Sequence, residues 1–342
     1  MKNLTFITAK SRKSWDEFVG KRAEANFLQS WDFYEFHAAR GKKVVRRLVF
    51  DDKRRVVAAY AGVVETAKRG RYMAVAGGPI LDYKDPDLLR AVVNDLRYEG
   101  EKLGCIFVRI RPQEPETDDA LQKMADMGLR KAPYYLSAEY VGILDLHKNE
   151  EEILAGASQG LRRKVRKAQK NGIEITKTTD PKIIDEFYKI QLETAKRQKF
   201  VAFSKEYLKK QFEAFSKNGE VVMYIAKKDD EVLAENFIVF YGPEASYHYG
   251  VSSELGTKYS AAPLLHLSAM EDARKRGIYR YNFWGIVGLE EKEHRFYGVS
   301  EFKRSFGVTE LKYLPAHDLV LKKVPYLKDF AIEKIRRKVR HV

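Results

Sequence analysis

The sequence predicts an α/β protein of the α+β kind, built from two tandem domains of similar plan. The first observation is length: 342 residues suit two domains, each with its own core. The second is a repeat. Residues 46–112 run RRLVF, a charged turn DDKRR, VVAAYAGVVE, RYMAVAGGPI, a helical stretch ending in EKLG and then CIFVRIRP. Residues 221–286 run VVMYIA, KKDDE, VLAENFIVF, ASYHYGVSSE, a helical stretch ending in RKRG and then IYRYNFWGI. The third is punctuation: Gly104 and Gly277 stand where a left-handed residue closes each helix. A repeat of this size is a domain rather than one turn of a solenoid. Two such domains facing each other would leave a cleft, the kind of place where substrates bind.

The elements follow in chain order. Ser14 is expected to cap a first helix carrying Trp15, Phe18 and Val19, and Asn26–Ser30 to form a turn and cap before a helix with Trp31, Tyr34 and Phe36. The first sheet follows. A helix near residues 87–103 places Leu88, Leu89, Val92, Val93 and Leu96 on one stripe. A proline-rich loop, a short helix with a glycine stop and the strand YYLSAEYVGILDL lead to residue 150. From there KNEEEILAGASQGLRRKVRKAQKNGIEI reads as two short helices and no strand, the second running from Ser158 to Asn171-Gly172. Two more helices precede the second sheet, and FKRSFGVTELKYLPAHDLVL turns from helix or turn to extended chain. The tail KDFAIEKIRRKVRHV reads as a basic helix with Phe330, Ile332 and Ile335 on its apolar side. The expected domains are 1–152, with the tail 312–342 packing back on it, and 153–311.

Composition narrows the function. The net charge is +15 with a pI near 9.5, which favours polyanions: nucleic acid, phosphorylated substrates or an anionic leaflet. No apolar run reaches the ~20 residues of a membrane-spanning helix, and the N-terminus lacks a signal core, so a cytoplasmic protein is expected. The single cysteine, Cys105, sits in an apolar strand and reads as a buried thiol. Walker, GxGxxG, HExxH, paired-cysteine and GxSxG patterns are all missing, and the seven histidines are scattered. No metal or organic cofactor is expected.

The densest cationic cluster is GLRRKVRKAQKNG, with Arg162, Arg163, Lys164, Arg166, Lys167 and Lys170 and no acid. On a helix Leu161, Val165 and Ala168 share one face, so the segment can dock while its other faces stay positive. A nearby polyanion would relieve the like-charge repulsion of a few tenths of a kcal/mol per pair. The pattern of each half is that of the GNAT (acyl-CoA N-acyltransferase-like) fold, giving two tandem GNAT-like domains. The pyrophosphate loop of that fold is only degenerately matched by SSELGTKYSAAPLL, with Gly256, Lys258, Ser260, Ala261 and Ala262. This disfavours coenzyme A but leaves anion contact at that helix end reasonable.

RRKVRKAQKNGIEI, FYKIQLETAKRQKF, YHYGVSSE, DARKRG, YNFWGI and EFKRSFG, in that order, resemble the FemABX family of peptidoglycan bridge-forming aminoacyltransferases. The resemblance spans nearly the whole chain and is strongest over 155–310. It implies transfer of an amino acid from aminoacyl-tRNA to the stem-peptide amine of a UDP-linked or lipid-linked precursor. FKRSFG resembles the family's FK-x-x-FG element, which implies that Phe302 and Lys303 lie near the reacting ester. A fixed ammonium there would stabilise the oxyanion formed on amine attack. By the same resemblance Arg197 binds the precursor's phosphate, Tyr249 lines the precursor site, and Gln29 and Trp31 help bind the precursor. Members often carry D-x-x-G where this chain has Asn282-Phe283-Trp284-Gly285, so no carboxylate is assigned there. The coiled-coil arm of some members is missing, which marks the compact form.

These readings combine into a transferase whose acceptor amine enters the interdomain cleft, its pyrophosphate held by Arg197, with Lys303 facing the developing charge and the substrate shuttling its own proton. The basic helix and the tail would attract tRNA or the inner face of the membrane in a salt-sensitive way. Two other classes are compatible with the residues alone: an acyl-CoA N-acyltransferase on the same fold, and a non-catalytic RNA- or membrane-binding protein acting through charge.

Overall fold

The structure, a computed structural model, describes residues 3–67, 70–198 and 201–340. The chain divides into two compact units, one of residues up to Glu139 together with those from Lys312 onward, the other Tyr140–Leu311.

Unit 1 begins with β1 (Thr5–Thr8), α1 (Arg12–Asp16) and α2 (Trp31–Ala39). Ser11, not Ser14, caps α1: its side chain accepts from the Ser14 amide, so the helix starts earlier than the sequence suggests. Ser30 caps α2 as its position predicts, accepting from Phe33 N at 3.1 Å. Then come β2 (Lys43–Phe50), β3 (Val56–Ala67), β4 (Gly70–Ala76), the short β5 (Ile80–Leu81), α3 (Pro86–Lys102), β6 (Phe107–Arg111), α4 (Asp118–Asp126) and β7 (Arg130–Lys131). Asp85 caps α3 and Pro86 occupies its first turn, where a missing N–H costs nothing. Leu88, Leu89, Val92, Val93 and Leu96 are all buried, and each such side chain contributes about 1.5–3 kcal/mol as an upper bound. The helix ends at Gly104, whose φ of +69° an L side chain rarely adopts.

Unit 2 runs β8 (Tyr140–Asp145), α5 (Glu150–Gly156), α6 (Gln159–Lys170), β9 (Glu174–Thr178), α7 (Ile184–Gln198), α8 (Lys205–Ser216), β10 (Val221–Lys228), β11 (Glu231–Tyr241), β12 (Glu244–Ser252), α9 (Glu254–Tyr259), α10 (Ala262–Lys275), β13 (Arg280–Gly285), α11 (Tyr297–Arg304) and β14 (Thr309–Lys312). The chain then returns to unit 1 as β15 (His317–Val320) and α12 (Lys323–Arg340). β9 corrects the reading of residues 148–175 as strand-free: Glu174–Thr178 pairs with β10, which a short polar edge strand did not advertise.

The strand orders are β1-β2-β3-β4-β6-β15-β7, with β5 on β3, and β14-β8-β13-β12-β11-β10-β9. In each sheet a parallel pair, β4–β6 or β12–β13, is bridged by the crossover helix, α3 or α10. The orders reveal an exchange. β8 follows β7 in the chain but lies in the second sheet between β13 and β14, and β15 follows β14 but lies in the first sheet between β6 and β7. This moves the border. The sequence places it after residue 152, whereas the division falls at 139/140, because β8 pairs with β13 from Asp145↔Arg280 to Val141↔Gly285. In unit 1 the returning chain is tied down ionically. Buried Arg109 grips Asp318 at 2.7 and 2.9 Å and Glu333 at 2.8 Å, and the Tyr326 hydroxyl donates to Asp318 at 3.1 Å.

Candidate functional site

The site is built where β12 and β13 part. They pair only from Glu244↔Arg280 to Ser246↔Asn282. Beyond that point β12 bulges, since Phe237 faces Tyr249 while Ile238 faces Tyr247, leaving His248 as the extra residue. β13 turns away at Trp284, which takes a left-handed φ of +65°. The fork leaves Tyr247, His248, Tyr249, Trp284 and Gly285 only partly covered.

α11 lays Lys303 at this fork. Three α11 side chains spaced i, i+3 and i+4 grip the end of β13 and the segment after it. Ser300 Oγ accepts from Val287 N at 3.0 Å, Lys303 Nζ donates to Gly285 O at 2.6 Å, and Arg304 Nη donates to Val287 O at 2.5 Å. Lys303 is buried, its Nζ 5.8 Å from the centre of the Tyr247 ring. Burial pushes its pKa down to about 7, because an ammonium there loses hydration. The rest of FKRSFG explains itself. Phe302 and Phe306 pack on the buried His266 at 5.6 and 5.5 Å, and Gly307 has a φ of +78° with Gly156 O only 2.7 Å from where a Cβ would sit.

A second line of contacts sets the Trp284–Gly285 turn. The buried Glu244 accepts from Ser246 Oγ at 2.6 Å, Arg280 Nε at 2.9 Å and Asn282 Nδ2 at 3.1 Å. Asn282 Oδ1 in turn accepts from Trp284 N at 2.7 Å and so holds the left-handed turn that presents the Gly285 carbonyl to Lys303. An aspartate at position 282 would set a second carboxylate against the buried Glu244, whereas the Asn282 amide both donates to Glu244 and accepts from Trp284 N. His266 completes the wall. Its Nδ1 lies 2.8 Å from the Tyr281 hydroxyl, and burial, with the Lys303 charge, pushes its pKa down to about 3, so it is a neutral imidazole.

Tyr249 and Arg197 stand further along β12. The Tyr249 ring nests between Phe203 at 5.4 Å and Phe237 at 5.5 Å, and its hydroxyl bonds with Tyr207 and Gln211, burial holding its pKa well above the ordinary range. Arg197, exposed in the last turn of α7, donates to Ser252 O at 2.6 Å. A groove of about 630 Å³ along α7 is lined by Lys182, Asp185, Glu186, Lys189 and Glu193, and includes neither Lys303 nor Tyr249. Among the described residues no group of three or more His, Cys, Asp or Glu side chains is placed to hold a metal ion.

The sequence profile of the FemAB family matches residues 10–230 and 208–328. The chain belongs to the FemAB family. It is 20% identical to the Staphylococcus aureus protein named aminoacyltransferase FemA over 420 aligned positions, covering 98% of this chain and 99% of that one. The alignment is longer than the 342 residues here, so the relative carries inserted segments that this compact chain lacks. The crystal structure of FemX superposes with a TM-score of 0.87 at 18% identity, over 96% of this chain and all of that one. A tandem GNAT protein from the clavulanic acid biosynthesis pathway gives 0.57 at 13% identity, over 93% and 99%. The two units are therefore two tandem GNAT-like domains.

For this FemAB protein the remaining expected residues divide. Gln29 is fully buried: its Nε2 donates to Ala76 O at 2.6 Å and Ala61 O at 3.2 Å and lies 2.8 Å from the Tyr34 hydroxyl, and its Oε1 accepts from Ala61 N at 3.0 Å. A side chain so committed has no face for a precursor, which corrects that expectation to a structural role. Trp31 keeps part of its ring exposed, with the Arg46 guanidinium 4.0 Å over it. In α6 Leu161, Val165 and Ala168 are buried, and Arg163, Lys164, Arg166 and Lys167 are exposed, although Lys167 also donates to Lys258 O at 2.7 Å. Arg162 leaves the patch, because it donates to Ala157 O at 2.5 Å and so caps the end of α5. Gly256 serves packing, since a Cβ there would sit 2.0 Å from Leu233 O. Sequence reasoning missed Glu244, Asn282 as an orienter, and His266. The one signal was a lone acid, Glu244, at the head of a strand that carries no other carboxylate and no Lys or Arg.

Proposed function

We propose that this FemAB protein moves an amino acid from aminoacyl-tRNA to the stem-peptide amine of a peptidoglycan precursor, UDP-MurNAc-pentapeptide or lipid II, and so builds an interpeptide bridge. The observation that carries the reading is the buried Lys303 amine, held by one backbone carbonyl at a forked sheet end. An ammonium has three N–H donors; one goes to Gly285 O and two remain for a reacting oxygen. The acceptor amine attacks the ester carbonyl, forming the C–N bond and a tetrahedral oxyanion. Lys303 donates to that oxygen in a poorly hydrated setting, where such a contact is strongest. The intermediate collapses, the ribose oxygen of the tRNA leaves, and the proton lost by the attacking amine passes to it through the substrate. Phe302 backs the site through His266 rather than by touching the ester.

Arg197 would take the precursor's pyrophosphate with the donors that Ser252 O leaves unused, Tyr249 would line the peptide's path, and Trp31 would add a precursor contact in unit 1. The exposed cations of α6 would hold the tRNA backbone, a salt-sensitive attraction. We place the protein in the cytoplasm, peripheral to the membrane where the acceptor is lipid-linked. Incubation with charged tRNAs and UDP-MurNAc-pentapeptide or lipid II, followed by mass spectrometry of the peptide, tests this. A gain of one amino-acid residue is expected; no gain with either acceptor would overturn it.

A further inference from the structure

α12 carries a feature that the transfer reaction does not use. Its 18 residues span about 27 Å. Packing fixes which way it faces. Tyr326 is buried edge-on against Phe107 at 5.5 Å, Phe330 lies under the Arg130 guanidinium at 4.1 Å, and Glu333 is bound to Arg109. Both acids of the helix, Asp329 and Glu333, are thereby turned toward the unit.

The outward face is of opposite character. Val324, Leu327 and Ile335 are 81%, 48% and 63% exposed, and the exposed Ala331 lies between them. Spacings of three, four and four residues put all four side chains on one stripe. Lys323, Lys328 and Lys334 flank the stripe and are exposed, and Arg336 extends the positive charge. No exposed acid interrupts this face among residues 322–337. Four apolar side chains in water, rimmed by lysines, match a surface that is itself apolar under an anionic skin.

We propose that the outward face of α12 docks on an anionic lipid bilayer, with Val324, Leu327, Ala331 and Ile335 entering the headgroup–acyl boundary and the lysines meeting lipid phosphate. An RNA would use the lysines but leave the stripe wet. A second copy of the chain would bury the stripe but bring lysine against lysine. No helix among the described residues is long and apolar enough to cross a membrane, so α12 lies on the surface. The inference stands whether or not Lys303 takes part in acyl transfer.

The test is cosedimentation of the full chain with vesicles of phosphatidylglycerol and phosphatidylcholine, and with phosphatidylcholine alone. Binding to the anionic vesicles is expected, with release as salt rises. The paired change Leu327→Glu and Ile335→Glu should weaken vesicle binding at least about tenfold, and Lys323→Gln with Lys328→Gln about 25-fold, at roughly fivefold per charge removed. All four sites are exposed, so circular-dichroism melting should be unchanged; Leu327→Ser with Ile335→Ser offers a milder second pair. Equal binding to neutral vesicles, or wild-type binding by both apolar variants, overturns the proposal. So does an equal loss of affinity in a tRNA gel shift, which would assign the face to RNA. A change from dimer to monomer by light scattering would assign it to a second copy and overturn it as well.

Discussion

The two units share a plan and part company where their parallel strands end. In unit 1 the parallel strands β4 and β6 stay paired for five residues, from Tyr72↔Phe107 to Ala76↔Arg111, and the Gln29 amide closes the end by bonding Ala76 and Ala61. In unit 2 the matching pair β12–β13 lasts for three, and the freed strand ends hold the Lys303 amine instead. A closed end buries its polar groups in fixed partnerships and stabilises. An open end keeps donors and carbonyls available and can react. On the proposed reaction, duplication would let one copy hold the fold while the other does chemistry.

The largest expected effect tests that division directly. Lys303→Met should lower turnover about 100- to 1,000-fold, the scale of losing an oxyanion donor, with no fall in melting temperature, since a buried amine is removed. Gln29→Ala should do the reverse, costing about 2–4 kcal/mol in urea unfolding while turnover per folded molecule stays within about twofold, because it strands buried carbonyls. Similar losses of turnover in both variants would erase the contrast. Arg109→Ala should cost about 3–5 kcal/mol by leaving Asp318 and Glu333 without their counter-charge, and calorimetry would show whether the returning chain depends on that tie.

Charge titration sharpens the comparison. The ammonium of Lys303 is lost as pH rises through about 7, so the step it assists should weaken above that pH; a rate that instead climbs through pH 7 in single-turnover experiments would make Lys303 a base. Glu235 on β11 is fully buried with both oxygens unpartnered, and burial, with Glu186 nearby, pushes its pKa up to about 8. Its folded pKa lies above its unfolded one. The stability it lends is therefore complete below the unfolded value and is lost as pH rises toward 8, on the order of 3–4 kcal/mol. Glu235→Gln should flatten that slope in unfolding curves taken from pH 5 to 8. The smallest effect expected is for Asn282→Ala, about 1–2 kcal/mol in stability and roughly tenfold in turnover, since it frees the Trp284 turn but leaves Lys303 in place.

Much of this was legible in the residues. The doubled pattern, the Gly104 and Gly277 stops, the stripe of α3 and the buried face of α6 rest on local periodicity and backbone preference, which act within a few residues. Legibility failed where long-range partners decide. Gln29 resembles a ligand residue and is a structural clip because Ala61 and Ala76 happen to converge on it. Arg162 belongs to a basic run by sequence and to the end of α5 by contact. The border near residue 150 misled because β8 looks like the last strand of the domain it follows.

The sequence by itself determined the elements, their duplication and the family, because these follow from side-chain period, turn chemistry and motif order along the chain. Only the tertiary structure decided which sheet β8 and β15 join, that Glu244 holds Asn282 and through it the Trp284 turn, and that α12 turns its acids inward and its lysines out. Those outcomes depend on which groups meet after burial, and burial sets the cost of each charge only once its neighbours are in place.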